Sequence, residues 1–100
     1  MDIVGDPQLD GLDSDQPLGE RALSKLRWRC RRGLLENDLF IERFFKRHEA
    51  HLTVGQARAI YDLMALSDNE LLDVLLQRQA LPADLTHGDV PWVVKQLQQA

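Results

Sequence analysis

The chain is 100 residues long, with 12 lysines and arginines against 16 acids, a formal charge of −4 and one cysteine. That length holds a single domain, its 44% hydrophobic and 28% charged content is ordinary for a globular protein, and no apolar run approaches the ~18 residues that cross a bilayer. A lone Cys30 excludes a disulfide framework and any cysteine-rich zinc module.

Residues 1–20 hold six acids and no base, the reverse of a mitochondrial presequence, and lack the basic and apolar regions of a secretory signal. The expected compartment is a bacterial cytoplasm. Residues 1–17 carry Asp2, Asp6, Asp10, Asp13 and Asp15, with Gly5, Pro7, Gly11 and Pro17 interrupting any periodicity. Such a segment has too little apolar surface to offset its ordering entropy, so it reads as a disordered acidic tail. Setting its −5 aside leaves +1 on residues 18–100, the expected folded domain.

From Leu18 onward the apolar spacing is helical. A first helix over about 18–31 places Ala22, Leu23, Leu26 and Cys30 on one side, and Gly33 ends it, glycine being favoured at helix C-termini and tight turns. A second, over 34–51, aligns Leu34, Ile41, Phe44, Phe45 and His48 on one broad stripe. Thr53 opens a third with a T-V-G-Q capping box closed by Gln56, and its core face is Ala57, Ile60, Tyr61 and Met64. Ser67 opens a fourth with S-D-N-E, closed by Glu70, and its core face is Leu71, Leu72, Leu75 and Leu76. Pro82 marks a loop, after which Asp89 caps a last helix bearing Val90, Val93, Val94 and Leu97, with Pro91 tolerated in its first turn. No alternating β-branched run suggests a strand, so the expected fold is all-α, a small five-helix bundle.

Two constellations could carry function. Arg21, Lys25, Arg27, Arg29, Arg31 and Arg32 put half the positive charge of the chain into twelve residues. That stripe is either a solvated face balanced by the tail or an anion-attracting surface for a protein or nucleic acid. Trp28, among these bases, either covers the bundle edge or anchors a partner. The second constellation is the junction R-R-G-L-L-E-N-D. There Glu36 and Asp38 suit a helix N-terminus and Arg32 with Glu36 could be a surface ion pair, yet Gly33 between opposite charges also admits a partner backbone. Leu35 and Leu39 lie off the main stripe and either pack on another helix or form a dimer or partner patch.

The sequence contains no phosphate loop, dinucleotide fingerprint or nucleophile–base pair. His48 and His51 have ligand-like spacing without a third ligand cluster, and Cys30 has no histidine partner, so neither a metal site nor a catalytic thiol is expected. The chain reads as a binding module, not an enzyme.

The segments R-W-R-C-R-R-G-L-L-E-N-D, F-I-E-R-F-F-K-R-H and Y-D-L-M-A-L-S-D-N-E-L-L-D-V-L resemble the succinate dehydrogenase flavinylation factors, small helical proteins whose hallmark is R-G-x-x-E. Arg32, Gly33 and Glu36 meet the motif and Asp38 meets the acid two positions later; the resemblance runs from about Arg21 to Leu97. It implies an assembly factor that binds the flavoprotein subunit of succinate dehydrogenase, with fumarate reductase as a further client, and promotes covalent attachment of FAD to a histidine of that subunit. The factor itself then holds no cofactor and no metal. The partner-binding residues it implies are Arg32, Gly33, Glu36 and Asp38, with Arg31 and Trp28 as neighbours. The free chain is expected to be a monomer. The alternative is a small regulatory or antitoxin-like protein that binds nucleic acid or a toxin partner through the basic helix. The near-neutral domain and the adjacent Glu36 and Asp38 argue against nucleic acid.

Overall fold

The structure, a computed structural model, describes residues 9–31 and 33–99. Its helices are α1 (Glu20–Arg29), α2 (Leu35–His48), α3 (Val54–Leu63), α4 (Asp68–Leu75) and α5 (Val90–Gln98), with short 3-10 turns at Glu49–His51 and Ala83–Leu85. No strand occurs among the described residues, and the expected all-α five-helix bundle is the architecture found.

Local chemistry accounts for the helix boundaries. Thr53 and Ser67 each accept a bond from the amide three residues on, and the Gln56 and Glu70 side chains accept in turn from the cap amides, so both capping boxes form. Asp89 occupies the cap position of α5 without a side-chain cap bond. The end of α4 is closed differently: Gln77 takes φ +61, its amide donates to the Val74 carbonyl, and the Arg78 amide donates to that of Asp73. That is the Schellman pattern, with glutamine where glycine is usual.

The core forms where α2, α3, α4 and α5 meet. Phe44 on α2 stands edge-on to Phe45 and to Trp92 of α5, with centroids 5.6 and 6.3 Å apart. Leu63 of α3, Leu71 of α4 and Val93 of α5 are fully enclosed. Each such side chain contributes about 1.5–3 kcal/mol by leaving water. On α4 the buried set is Leu71, Val74 and Leu75, whereas Leu72 is half-buried and Leu76 is exposed. The expected Leu72 and Leu76 lie about 100° round the helix from the i, i+3, i+4 stripe that faces the core.

Two further differences from expectation matter. Asn37, the middle residue of E-N-D, is wholly buried, and its Nδ2 donates to the Asp68 carbonyl at 2.9 Å, tying the first turn of α2 to the start of α4. Of the expected tail, the first eight residues lie outside the described ones, and residues 9–17 pack along α3. Leu9 is buried, and the Arg58 guanidinium donates to the carbonyls of Leu9 and Leu12 and to Ser14 Oγ. The Ser14 and Gln16 carbonyls accept from the amides of Gly55 and Val54 at 2.9 and 2.8 Å. Those first-turn amides have no partner within their own helix, so the strap satisfies them. Backbone carbonyls and one buried leucine hold it, and neither shows in hydropathy or charge.

Candidate functional site

The R-R-G-L-L-E-N-D junction forms the turn between α1 and α2. The Cys30 amide donates to the Leu26 and Arg27 carbonyls and the Arg31 amide to that of Trp28, which closes α1. Gly33 follows at φ +91, in the region that side-chain-bearing residues avoid. A Cβ there would meet nothing within 4 Å, so no internal packing calls for glycine. The backbone conformation demands it, and its absent side chain leaves the turn flat toward solvent. Leu34 then caps α2 without a side-chain bond, and Glu36 and Asp38 lie in the first turn, where their charge complements the helix dipole.

Alongside the turn, α1 and α2 enclose an open groove of about 700 Å³. Cys30, Ile41 and Phe45 are the buried residues along it. Arg27 and Arg31 line it from the α1 side, Asp38 and Glu42 from α2. Trp28, 74% exposed, and Leu35, 66% exposed, form its apolar rims. Arg27 reaches across to the Glu49 carboxylate and lies over the Phe45 ring, 5.6 Å from its centroid.

Of the expected site residues, Trp28, Arg31 and Asp38 share this groove. Gly33 and Glu36 are exposed beside it without lining it. Arg32 lies outside the described residues. Leu35 and Leu39, expected either to pack on another helix or to form a dimer or partner patch, are both exposed. Leu35, expected off the core stripe of α2, and Arg27, expected in the basic stripe, join the site, whereas nothing in the sequence singled out Glu42. In the basic stripe, Arg21, Lys25 and Arg29 are exposed, while Arg27 turns to Glu49.

The histidines stand apart. His48 is wedged between Phe44 and Trp92, with centroids at 4.9 and 5.3 Å, and its Nε2 is buried without a hydrogen-bond partner. Burial, then the adjacent Arg47 charge and His51, hold its pKa below the ordinary value near 6.5, against a raising contact with the Gln96 side chain. His87 faces Asp62 at 3.8 Å on the surface. Among the described residues no group of three or more His, Cys, Asp or Glu side chains could hold a metal ion, and no helix is long and apolar enough to cross a membrane.

Comparison with known proteins adds a family to this geometry. Residues 24–100 match the family model Sdh5, described as the flavinator of succinate dehydrogenase. A protein of Ralstonia nicotianae named FAD assembly factor SdhE is 49% identical over 70 residues, 70% of each chain. Proteins of the same name from Coxiella burnetii and Legionella pneumophila (strain Paris) are each 37% identical. The first match covers 62% of this chain and 72% of the relative, the second 54% and 68%. No solved structure matches the chain.

Proposed function

The chain belongs to the family of succinate dehydrogenase flavinators, and from that premise we propose that it binds the flavoprotein subunit of succinate dehydrogenase and promotes covalent attachment of FAD to it. The observation that carries this reading is the turn at Gly33: an exposed, left-handed glycine with open space before it, flanked by charged residues, standing where R-G-x-x-E falls. A surface with no side chain at its centre lets a second backbone approach closely.

The chemistry belongs to the partner. Attachment breaks a C–H bond of the flavin methyl group and an N–H bond of a flavoprotein histidine, joins carbon to nitrogen, and leaves two electrons and two protons on the isoalloxazine, which is reduced. Holding those atoms in register can remove several kcal/mol of barrier. A small rigid bundle that binds the reactive arrangement better than the relaxed one shifts the partner toward it, without supplying an acid or base. Gly33 gives close approach, while Arg31, Glu36 and Asp38 orient the partner through charge-assisted bonds; Arg32 takes its part from the motif alone. On this reading the chain works as a monomer in a bacterial cytoplasm, holds no flavin of its own, and can serve the fumarate reductase flavoprotein as a second client.

The test is covalent flavin on the flavoprotein subunit, read by in-gel fluorescence, after co-expression with wild type, Gly33→Arg or Glu36→Ala. Gly33→Arg should abolish the signal and Glu36→Ala should lower it, with helical circular dichroism retained. Full flavinylation with both folded variants refutes the proposal.

A further inference from the structure

We infer that the α1–α2 groove is an oriented docking trough. It takes one segment of the flavoprotein that presents an apolar ridge, with acidic residues on the edge facing α1 and basic residues on the edge facing α2. This deepens the reading above and rests on it.

The groove differs from an ordinary surface crease in two respects. Its residues recur at near-helical spacing, Ser24 and Trp28 along α1 with Arg31 just past its end, and Leu35, Asp38 and Glu42 along α2. The trough is therefore about 10 Å long, room for two helical turns or three to four extended residues. Its rims are large apolar side chains left in water: Trp28, Leu35 and, one turn beyond, Leu39 are three of the four large hydrophobics exposed among the described residues. A cluster of that kind on a small domain marks an interaction site more often than chance, and tryptophan is the residue most enriched where binding energy concentrates.

Charge then selects the occupant. The two walls have opposite sign, Arg27 and Arg31 against Asp38 and Glu42. Arg27 is already engaged by Glu49, and Arg31 is the second exposed cation of that wall. An all-acidic or all-basic ligand would meet repulsion from one side. A second copy of this chain, turned about the groove axis, is the competing occupant, and sedimentation separates it from the flavoprotein segment. A segment with an apolar centre and edges of opposite charge satisfies both walls, and only one orientation along the trough does so. The groove would thus set the direction in which the flavoprotein segment lies, while the Gly33 turn sets how closely it approaches.

Binding of the apo-flavoprotein subunit, measured by biolayer interferometry at two salt concentrations, separates this inference from the broader reading. Trp28→Ala and Leu35→Asp should each weaken binding about tenfold or more, whereas Leu76→Asp, at the exposed leucine that caps the end of α4, should leave it unchanged. Carbodiimide coupling tests the orientation. An Arg31→Lys chain should gain a cross-link to a partner acid, and Glu42→Gln should lose one to a partner lysine in the same segment. If Trp28→Ala and Leu35→Asp bind as wild type while Gly33→Arg does not, the trough inference fails and the proposed function stands. If Gly33→Arg also binds and flavinylates normally, the proposed function itself fails. If Leu35→Asp changes only self-association in sedimentation, the groove is a contact between copies and the inference is overturned.

Discussion

Replacing Gly55 by alanine tests whether the strap over α3 belongs to the fold. In a helix this change ordinarily stabilises, by up to about 1 kcal/mol. Here the new Cβ would stand 2.8 Å from Asp89 Oδ2, 2.9 Å from Ser14 Cβ and 3.2 Å from the Ser14 carbonyl oxygen. The Asp89 carboxylate ends a rotatable side chain and can swing aside. Ser14 cannot, because its Cβ is fixed to the backbone whose carbonyl accepts from the Gly55 amide at 2.9 Å. Crowding of this kind costs about 1–3 kcal/mol, and stretching the bond costs up to roughly 1 more. The net expectation is destabilisation by about 1–2 kcal/mol, a fall in Tm of roughly 4–15 °C for a domain this size. Urea denaturation of wild type and Gly55→Ala would measure it. The same pair in a chain starting at Leu18 isolates the strap: there the substitution should be neutral or stabilising. A higher Tm for Gly55→Ala in the full chain refutes the seating of the strap, and an equal loss in both backgrounds moves the cost to Asp89.

Gln77→Gly should stabilise by about 0.5–1 kcal/mol in denaturant melts, because Gln77 sits at φ +61, a conformation only glycine adopts without strain. Asn37→Ala should destabilise by about 1–3 kcal/mol, since it opens a cavity and removes the donor to the Asp68 carbonyl. Asn37→Leu should cost less, because Asn37 Oδ1 is itself buried without a partner and its removal offsets part of the loss; calorimetry ranks the pair. For His48 the folded pKa lies below the unfolded value near 6.5, so protons bind preferentially to the unfolded chain. Its contribution to stability is present above pH 6.5 and is lost as pH falls through the folded pKa, so melts between pH 7.5 and about 5.5 should show a slope. His48→Phe should flatten that slope if the buried imidazole causes it.

The five helices were legible because each signal was local. The capping boxes at Thr53 and Ser67 act within four residues, and the apolar stripes of α2, α3 and α5 have the helical period. Departures came where a contact between distant segments decided the outcome. Residues 9–17 look unfoldable alone, and become ordered only because α3 offers Arg58 and two unpaired amides. Asn37 reads as a surface residue between two acids until the Asp68 carbonyl is brought beside it. On α4, three successive apolar positions left the stripe ambiguous between Leu72 and Val74, and packing chose Val74. The preference of glycine for helix ends and turns placed Gly33 correctly at a turn, but a groove needs two helices side by side. Nothing in the spacing along either one predicts that Leu35 would face the side of Trp28.

Within the span of α1, Leu26 is the one wholly buried side chain, and Cys30 follows as its C-cap. The cost of lifting this helix is therefore small beside that of opening α3, which buries seven residues. α1 belongs to the low end of the range of local opening energies, and its amides should exchange with solvent through excursions that leave the remainder intact. A partner that clamps α1 onto α2 would slow that exchange first, and would do so without altering the average structure. The helix that carries half of the groove is thus also its own reporter: occupancy can be followed as protection at Leu23 to Arg29, even where affinity is too weak to isolate the complex.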